Sequence, residues 1–165
     1  QDVQWLERAG GSFVDNGRAI VTDVQGNSYV TGNFRDTADF DTLTRIAGNH
    51  SGNYFTAKYN SEGNIVWIDT GTRDADEYAI TTDNSGNVYT LGEINIFGLT
   101  LSNNQTISGP SFLIQYNSKG QIEWANTVPL NPPKGIATDD KGNVYIAGSL
   151  FGTASLGNNF FSFKT

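Results

Sequence analysis

Residues 79–92 read AITTDNSGNVYTLG, and the same pattern occurs twice more in the chain. Residues 19–32 read AIVTDVQGNSYVTG, and residues 135–148 read GIATDDKGNVYIAG. The turn glycines of the three copies are 60 and 56 residues apart. A repeat of this length is typical of arrays of one supersecondary unit, so it constrains the architecture before any single residue is interpreted.

Each copy contains a turn in which an aspartate ends one strand and a glycine follows three residues later. An aspartate side chain can accept the backbone N–H groups of a turn, and glycine takes a positive φ without steric cost. Residues 60–63 (NSEG) and 117–120 (NSKG) repeat the device in a second hairpin. We therefore predict structural turns at Asp23 and Gly26, Asp83 and Gly86, and Asp139 and Gly142.

Four short apolar runs, several with the period-two alternation of strands, fill each of the first two copies. In the first copy they are Ala19–Asp23, Ser28–Phe34, Tyr54–Tyr59 and Asn64–Thr70; in the second they are Ala79–Asp83, Val88–Ile94, Ser111–Tyr116 and Gln121–Thr127. Four antiparallel strands per unit of about 40–60 residues is the signature of a β-propeller blade. The chain is therefore predicted to be all-β, a β-propeller of four-stranded antiparallel blades, with Trp67 and Trp124 packed between neighbouring blades.

The pattern resembles the SBBP-type β-propeller repeat family of bacterial surface and secreted proteins. The resemblance rests on residues 37–40 (TADF), 55–59 (FTAKY), 63–67 (GNIVW) and 139–148 (DDKGNVYIAG). The second copy departs from the pattern between Ile94 and Gly109, and the third has a short connector from Ser149 to Asn159. The resemblance implies the fold and an extracellular or cell-surface setting. It implies no catalytic residues.

The first and last segments of the chain match strands from the end, not the beginning, of a blade. Trp5, Trp67 and Trp124 are 62 and 57 residues apart, so the N-terminal segment matches a fourth strand. The C-terminal segment matches a third strand that no fourth strand follows. We therefore predict three blade equivalents circularly shifted by one strand. The boundaries are 1–11 for the N-terminal strand, 17–71 for blade one, 77–128 for blade two and 133–165 for blade three, which lacks its fourth strand.

This offset predicts self-assembly, because an unfilled strand edge invites pairing with another chain. Reciprocal exchange closes a ring, and a head-to-tail contact that does not close gives a filament. The alternatives are a piece of a longer propeller and closure within one molecule. The predicted donor strand consists of Val3, Gln4, Trp5, Leu6, Glu7 and Arg8, and the predicted acceptor strand consists of Phe160, Phe161, Ser162, Phe163 and Lys164.

Composition excludes several classes of partner. The net charge of −7 argues against nucleic acid, whose phosphates attract basic surfaces. No apolar stretch approaches the length of a membrane-spanning helix, and the chain has no cysteine for a disulfide or thiolate site. A start at Gln1-Asp2 rather than at methionine fits a mature N-terminus after removal of a signal peptide, or an artificial boundary.

The search for chemistry finds no catalytic motif. The single histidine, His50, lies in a polar stretch, and no serine has the surroundings of a nucleophile elbow. We expect two groups of acidic residues to be solvated connectors rather than a paired-carboxylate or calcium site, although a loop calcium ion is kept as an alternative. The sequence predicts no other cofactor. Asn49 and Asn104 begin potential N-glycosylation sequons. The acidic groups are Asp36, Asp39 and Asp41, and Asp69, Asp74, Asp76 and Glu77.

Three functional hypotheses follow. The first is a non-enzymatic extracellular β-propeller module with a structural or adhesive role, assembling by strand exchange between its ends. The second is a propeller that binds a glycan or protein through its acidic and Asn-rich loops. The third is a hydrolase using His50 or the acidic connectors.

Overall fold

The computed structural model describes residues 3–47, 52–71, 75–94, 98–150, 153–156 and 159–162. Within them the regular structure is all antiparallel strand, and no helix is long and apolar enough to cross a membrane. The strands are β1 (Ala9–Gly11), β2 (Asn16–Thr22), β3 (Ser28–Phe34), β4 (Thr37–Phe40), β5 (Leu43–Ile46), β6 (Asn53–Tyr59), β7 (Ile65–Thr70), β8 (Ala75–Thr82), β9 (Val88–Ile94), β10 (Leu99–Thr100), β11 (Thr106–Ile107), β12 (Ser111–Tyr116), β13 (Ile122–Val128), β14 (Pro133–Thr138), β15 (Val144–Gly148), β16 (Thr153–Leu156) and β17 (Asn159–Ser162).

Two four-stranded antiparallel sheets form the body of the molecule. Blade one has the order β2-β3-β6-β7, and blade two has the order β8-β9-β12-β13. Their strands are the eight apolar runs predicted from the sequence, with small shifts at the ends. β-Branched and aromatic side chains favour these strands, and glycines at positive φ close the hairpins between them. The all-β, four-stranded antiparallel prediction is therefore confirmed.

A short hairpin links the second strand of each blade to the third. In blade one it is β4 and β5, and in blade two it is β10 and β11. β1 adds to the first of these hairpins by pairing with β4, so that Ala9 lies opposite Phe40. The departure predicted between Ile94 and Gly109 is thus a variant of the same connector.

The first strand of each copy has a register shift at the same place in all three copies. It falls at Arg18 in β2, at Tyr78 in β8 and at Lys134 in β14. A bulge leaves one residue unpaired and breaks the alternation of the strand. This break explains why the sequence placed the start of β8 at Ala79, whereas the strand begins at Ala75.

The sheets stack so that every blade has two distinct faces. We call the face toward the preceding repeat the front face and the face toward the following repeat the back face. Tyr29 and Trp67 on the back face of blade one share a buried cluster with Ile80 and Val88 on the front face of blade two. On the back face of blade two, Leu91 and its neighbours pack against β14 and β15.

The third copy differs from the prediction. β14 and β15 pair as the first two strands of a blade, but β17 pairs with β16 and not with β15. The predicted acceptor strand, Phe160–Lys164, is thus part of a connector hairpin over Asn159–Ser162, and its last two residues lie outside the described residues. Thr153–Leu156 follows Gly148 at the distance at which Thr37–Phe40 follows Gly32, so β16 and β17 correspond to β4 and β5.

The predicted donor segment also differs in part. Among residues 3–11, only Ala9–Gly11 is a strand, and its partner is β4. Val3–Arg8 is not part of a strand. Val3 and Leu6 are exposed, whereas Trp5 packs against blade one.

Candidate functional site

The contact between blade one and blade two is centred on Trp67. Its ring stacks on Tyr116 of blade two, with centroids 5.9 Å apart and the rings inclined by 28°. The indole Nε1–H donates to the backbone oxygen of Ser118, 3.3 Å away, and the ring of Tyr29 of the same blade lies 6.2 Å from the indole, inclined by 52°. A Cβ on Gly120, which has φ of +79°, would lie 2.5 Å from the ring. Glycine is therefore required here both by its backbone conformation and by the indole.

Trp5 makes the corresponding contact on blade one. Its ring lies 5.9 Å from that of Tyr59 with an inclination of 30°, and a Cβ on Gly63 would lie 2.9 Å from it. Tyr59 and Gly63 occupy the positions in blade one that Tyr116 and Gly120 occupy in blade two. Trp5 thus sits where the fourth-strand tryptophan of a preceding blade would sit.

Trp124 is the third tryptophan of the series. It packs on Tyr89 of its own blade at 6.2 Å and belongs to the cluster between blade two and β14–β15. Its side chain is only half-buried, unlike that of Trp67. The described residues of the third copy offer Trp124 no stacking tyrosine from a third strand.

The three aspartate turns have the same hydrogen bonds. In the second copy, Asp83 Oδ1 accepts the backbone N–H groups of Ser85 and Asn87, both at 2.9 Å. Oδ2 accepts the side-chain amide of Asn87 at 2.8 Å and the hydroxyl of Tyr89 at 3.1 Å. Asp23 and Asp139 are bonded in the same pattern, and Gly26, Gly86 and Gly142 close the turns at positive φ.

These bonds shift the acidity of the turn. Burial would raise the pKa of Asp83, but the hydrogen bonds from Asn87, Tyr89 and Ser85 outweigh it and hold the pKa below 3.8. Burial, together with the same carboxylate, raises the pKa of the Tyr89 hydroxyl to about 12. In the turn, an ionised carboxylate accepts a hydrogen bond from a neutral phenol. This arrangement stabilises the hairpin.

A buried polar network crosses the interface between the blades. Asp69 of β7 accepts the hydroxyls of Tyr116, at 3.1 Å, and Tyr54, at 3.3 Å. Glu77 of β8 accepts the hydroxyl of Thr56 at 3.0 and 3.2 Å from its two oxygens. We refer to these five residues as the interblade network, since Tyr54, Thr56 and Asp69 come from blade one, and Glu77 and Tyr116 from blade two.

Burial governs the titration of this network. It raises the pKa of Glu77 well above the usual value, against the hydrogen bonds of nearby threonine hydroxyls. It also raises the pKa of Asp69, against the hydroxyls of Ser102, Tyr116 and Tyr54. Glu77 is fully buried, and this burial favours the neutral form of its carboxyl group.

The prediction that Asp69 and Glu77 are solvated connector residues is wrong. Both lie in strands: Asp69 is in β7, which ends at Thr70 as the apolar run does, and Glu77 is in β8, which begins four residues before the predicted run. The signal that could have found Glu77 is a departure from the repeat, because the equivalent positions are Gly17 and Pro133. Asp69 is less distinctive, because the equivalent positions are Glu7 and Asn126.

The remaining residues predicted as glycosylation, catalytic or metal-binding candidates do not form a common site among the described residues. Asn49, His50 and Asp74 lie outside the described residues. Asn104 is exposed at the β10–β11 turn with φ of +65°. Asp39 accepts the hydroxyl of Thr44 in the β4–β5 hairpin. In the described ranges, no three acidic or histidine side chains come together as a metal site.

A recess lies on the front face of blade one. Its volume is about 300 Å³, and its apolar wall includes Trp5, Ile20, Val30 and Phe55. In blade two, the residues equivalent to Ile20 and Val30 face blade one and are covered by it. The recess therefore lies on the face of blade one that corresponds to the face blade two turns toward blade one.

Comparison with known families identifies one segment of the chain. The family model SBBP, a β-propeller repeat, matches residues 133–149, which include the third Asp turn. This match confirms the resemblance inferred from the sequence. No curated protein matches the chain.

Proposed function

We propose that this chain, which carries an SBBP-type β-propeller repeat at residues 133–149, is a non-enzymatic structural or adhesive module of an extracellular β-propeller. Its role is to hold blades side by side, and Val3–Arg8 serves as the outer strand of an adjoining blade. The acidic groups considered for catalysis support this role, since Asp69 and Glu77 are committed to the packing between blades.

The proposal rests on the contacts of Trp5 with blade one. Trp5 on Tyr59 and Gly63 has the distance and inclination of Trp67 on Tyr116 and Gly120. Trp67 belongs to a strand that pairs with the third strand of its blade. Trp5 has the corresponding placement on blade one, so the segment Val3–Arg8 is positioned to pair with the third strand of an adjoining blade.

The acceptor strand predicted from the sequence, Phe160–Lys164, already has another partner, because Asn159–Ser162 is paired with β16. The partner of Val3–Arg8 is instead the third strand of a further blade of the same type. It has an aromatic pattern like that of Asn53–Tyr59, followed by a glycine turn.

Hydrogen–deuterium exchange combined with light scattering tests the proposal. The amides of Val3–Arg8 should gain protection from exchange as the concentration of the protein, or of added propeller repeats, rises. Deleting residues 1–8 should lower the average mass in light scattering. Glu62→Gln, in an exposed turn, is the control and should leave both readouts unchanged. A truncated protein that keeps the full mass would contradict the proposal.

A further inference from the structure

The contact between blade one and blade two is polar where the contact between blade two and the third copy is apolar. Thr56 on the back face of blade one donates to Glu77 on the front face of blade two, at 3.0 and 3.2 Å from its two carboxyl oxygens. The hydroxyl of Thr90, also on the front face of blade two, lies beside the same carboxyl group. All three side chains are completely buried, so bulk water cannot replace these partners.

The equivalent positions of the second contact carry apolar side chains. Leu113 on the back face of blade two stands where blade one has Thr56. The third copy has Pro133 and Ile146 where blade two has its glutamate and its buried threonine. Leu113 and Ile146 pack in one cluster, and Pro133 is buried as well. The two contacts therefore use the same positions of the repeat with opposite polarity.

Pairing the blades in any other order would bury a polar group without its partner. If the back face of blade two met the front face of blade two from another molecule, Leu113 would lie against Glu77, and the carboxyl group would lose its hydroxyl donor. If the third copy packed on blade one, Pro133 and Ile146 would leave the hydroxyl of Thr56 without the carboxyl group. A buried polar group that loses its partner costs more than the bond itself contributes. Among these pairings, only the native order gives both polar faces a hydrogen-bonding partner.

We propose that Thr56, Glu77 and Thr90 make blade one and blade two selective partners, so that neither face packs stably on a blade with apolar residues at these positions. Exchange of units between molecules is a characteristic error of repeat proteins, because their units resemble one another. The contact between hydroxyl and carboxyl groups opposes this error. The inference goes beyond the proposed function, since it holds whether or not Val3–Arg8 completes an adjoining blade.

Reporter cysteines test the selectivity, because the chain has no cysteine of its own. In the second contact, the hydroxyl oxygens of Thr81 and Thr138 are 3.2 Å apart, so Thr81→Cys with Thr138→Cys reports the native order. Val21 is the equivalent of Thr81 in blade one and packs against the cluster shared with blade two. Val21→Cys with Thr138→Cys therefore reports the third copy packed on blade one, and we call this link the wrong-order disulfide. Refolding in a redox buffer, followed by mass spectrometry of the linked peptides, measures both disulfides.

The wrong-order disulfide should remain a small fraction in the parent sequence. Thr56→Val with Glu77→Met and Thr90→Val nearly keeps the volume of the contact and makes it apolar, so this triple variant should stay folded and raise that fraction severalfold. Thr56→Val alone should raise it as well. The single variant should also increase the equilibrium constant of unfolding roughly tenfold, because Glu77 loses its donor.

Thr44→Val is the control for loss of a hydroxyl. Its hydroxyl also donates to a carboxylate, that of Asp39, but in an exposed connector hairpin. This variant should leave the wrong-order disulfide at the parent's level. A fraction that stays at the parent's level in both the triple variant and Thr56→Val, or that rises equally in the control, would overturn the selectivity.

Discussion

At the scale of single residues, Asp83 illustrates how the repeat specifies its own turn. One carboxylate oxygen accepts two backbone N–H groups, and the other accepts Asn87 and Tyr89. The second hairpin of blade one uses Asn60, whose side-chain oxygen accepts the same two kinds of N–H group. An amide therefore suffices for the turn, and the aspartate is needed for the bonds to Asn87 and Tyr89.

We therefore expect Asp83→Asn to keep the hairpin and lose part of its stability. Two hydrogen bonds to a charged acceptor disappear, so the free energy of unfolding should fall by about 1–3 kcal/mol in urea titrations at pH 7. Because the folded-state pKa of Asp83 is below 3.8, its stabilisation is complete above that pH and is lost as the pH falls through the folded-state pKa. In the variant, the free energy of unfolding should depend less on pH in this acidic range. An unchanged pH dependence would mean that it comes from other carboxylates.

Glu77 gives the opposite dependence on pH. Its pKa is raised by burial in the folded state, so its contribution is complete below the unfolded value of 4.5 and is lost as the pH rises through the folded-state pKa. Glu77→Gln should raise the free energy of unfolding at pH 7, and each unit of raised pKa corresponds to about 1.4 kcal/mol. Urea midpoints measured from pH 4 to 8 should become flatter in the variant. The exposed Glu62→Gln should keep the parent's pH dependence, and a Glu77→Gln variant less stable than the parent at pH 7 would contradict the raised pKa of Glu77.

At the scale of elements, the hairpin turns differ in what they pack against. Gly120 and Gly142 both have φ of +79°, so alanine strains the backbone equally at either turn. A Cβ on Gly120 would meet the Trp67 ring, whereas nothing lies within 4 Å of a Cβ on Gly142. The two positions thus separate backbone strain from packing between blades.

Gly142→Ala should cost about 1–2 kcal/mol of unfolding free energy, from the left-handed conformation alone. Gly120→Ala should cost about 1–3 kcal/mol more, because overpacking displaces the indole that joins the blades. Thermal and urea unfolding of both variants measures the difference, and tryptophan fluorescence reports the displacement of Trp67. Equal costs at the two glycines would mean that the Trp67 indole moves aside without a loss of stability.

The sequence predicted the elements better than their partners. Runs such as Val88–Ile94 were found because turns bound them on both sides and alternation places one face inward. The sequence predicts the wrong neighbour for β17, because the phenylalanines of residues 160–163 resemble the aromatic residues of a third strand and no turn signal marks the segment as part of a connector hairpin. The interblade network was missed because burial of Glu77 depends on Thr56, which is on another blade.

At the scale of the whole molecule, the repeat makes the chain a one-dimensional stack. Each unit contacts its sequence neighbours, so stability comes from the units and from the interfaces between them. Trp67 stands inside the stack, buried between Tyr29 and Tyr116. Trp124 occupies the same position one blade later and is half-buried.

Trp67→Ala and Trp124→Ala therefore compare the middle of the stack with its end. Removing the buried indole of Trp67 should lower the free energy of unfolding by about 3–5 kcal/mol, because it leaves a cavity between two blades. Trp124→Ala should cost less than half as much in the dilute protein, since the described residues stack only Tyr89, of its own blade, against its ring. Urea titrations of both variants at the same low concentration make the comparison. Equal losses would mean that Trp124 is already in a complete interface, and the stack would then not be open at this end.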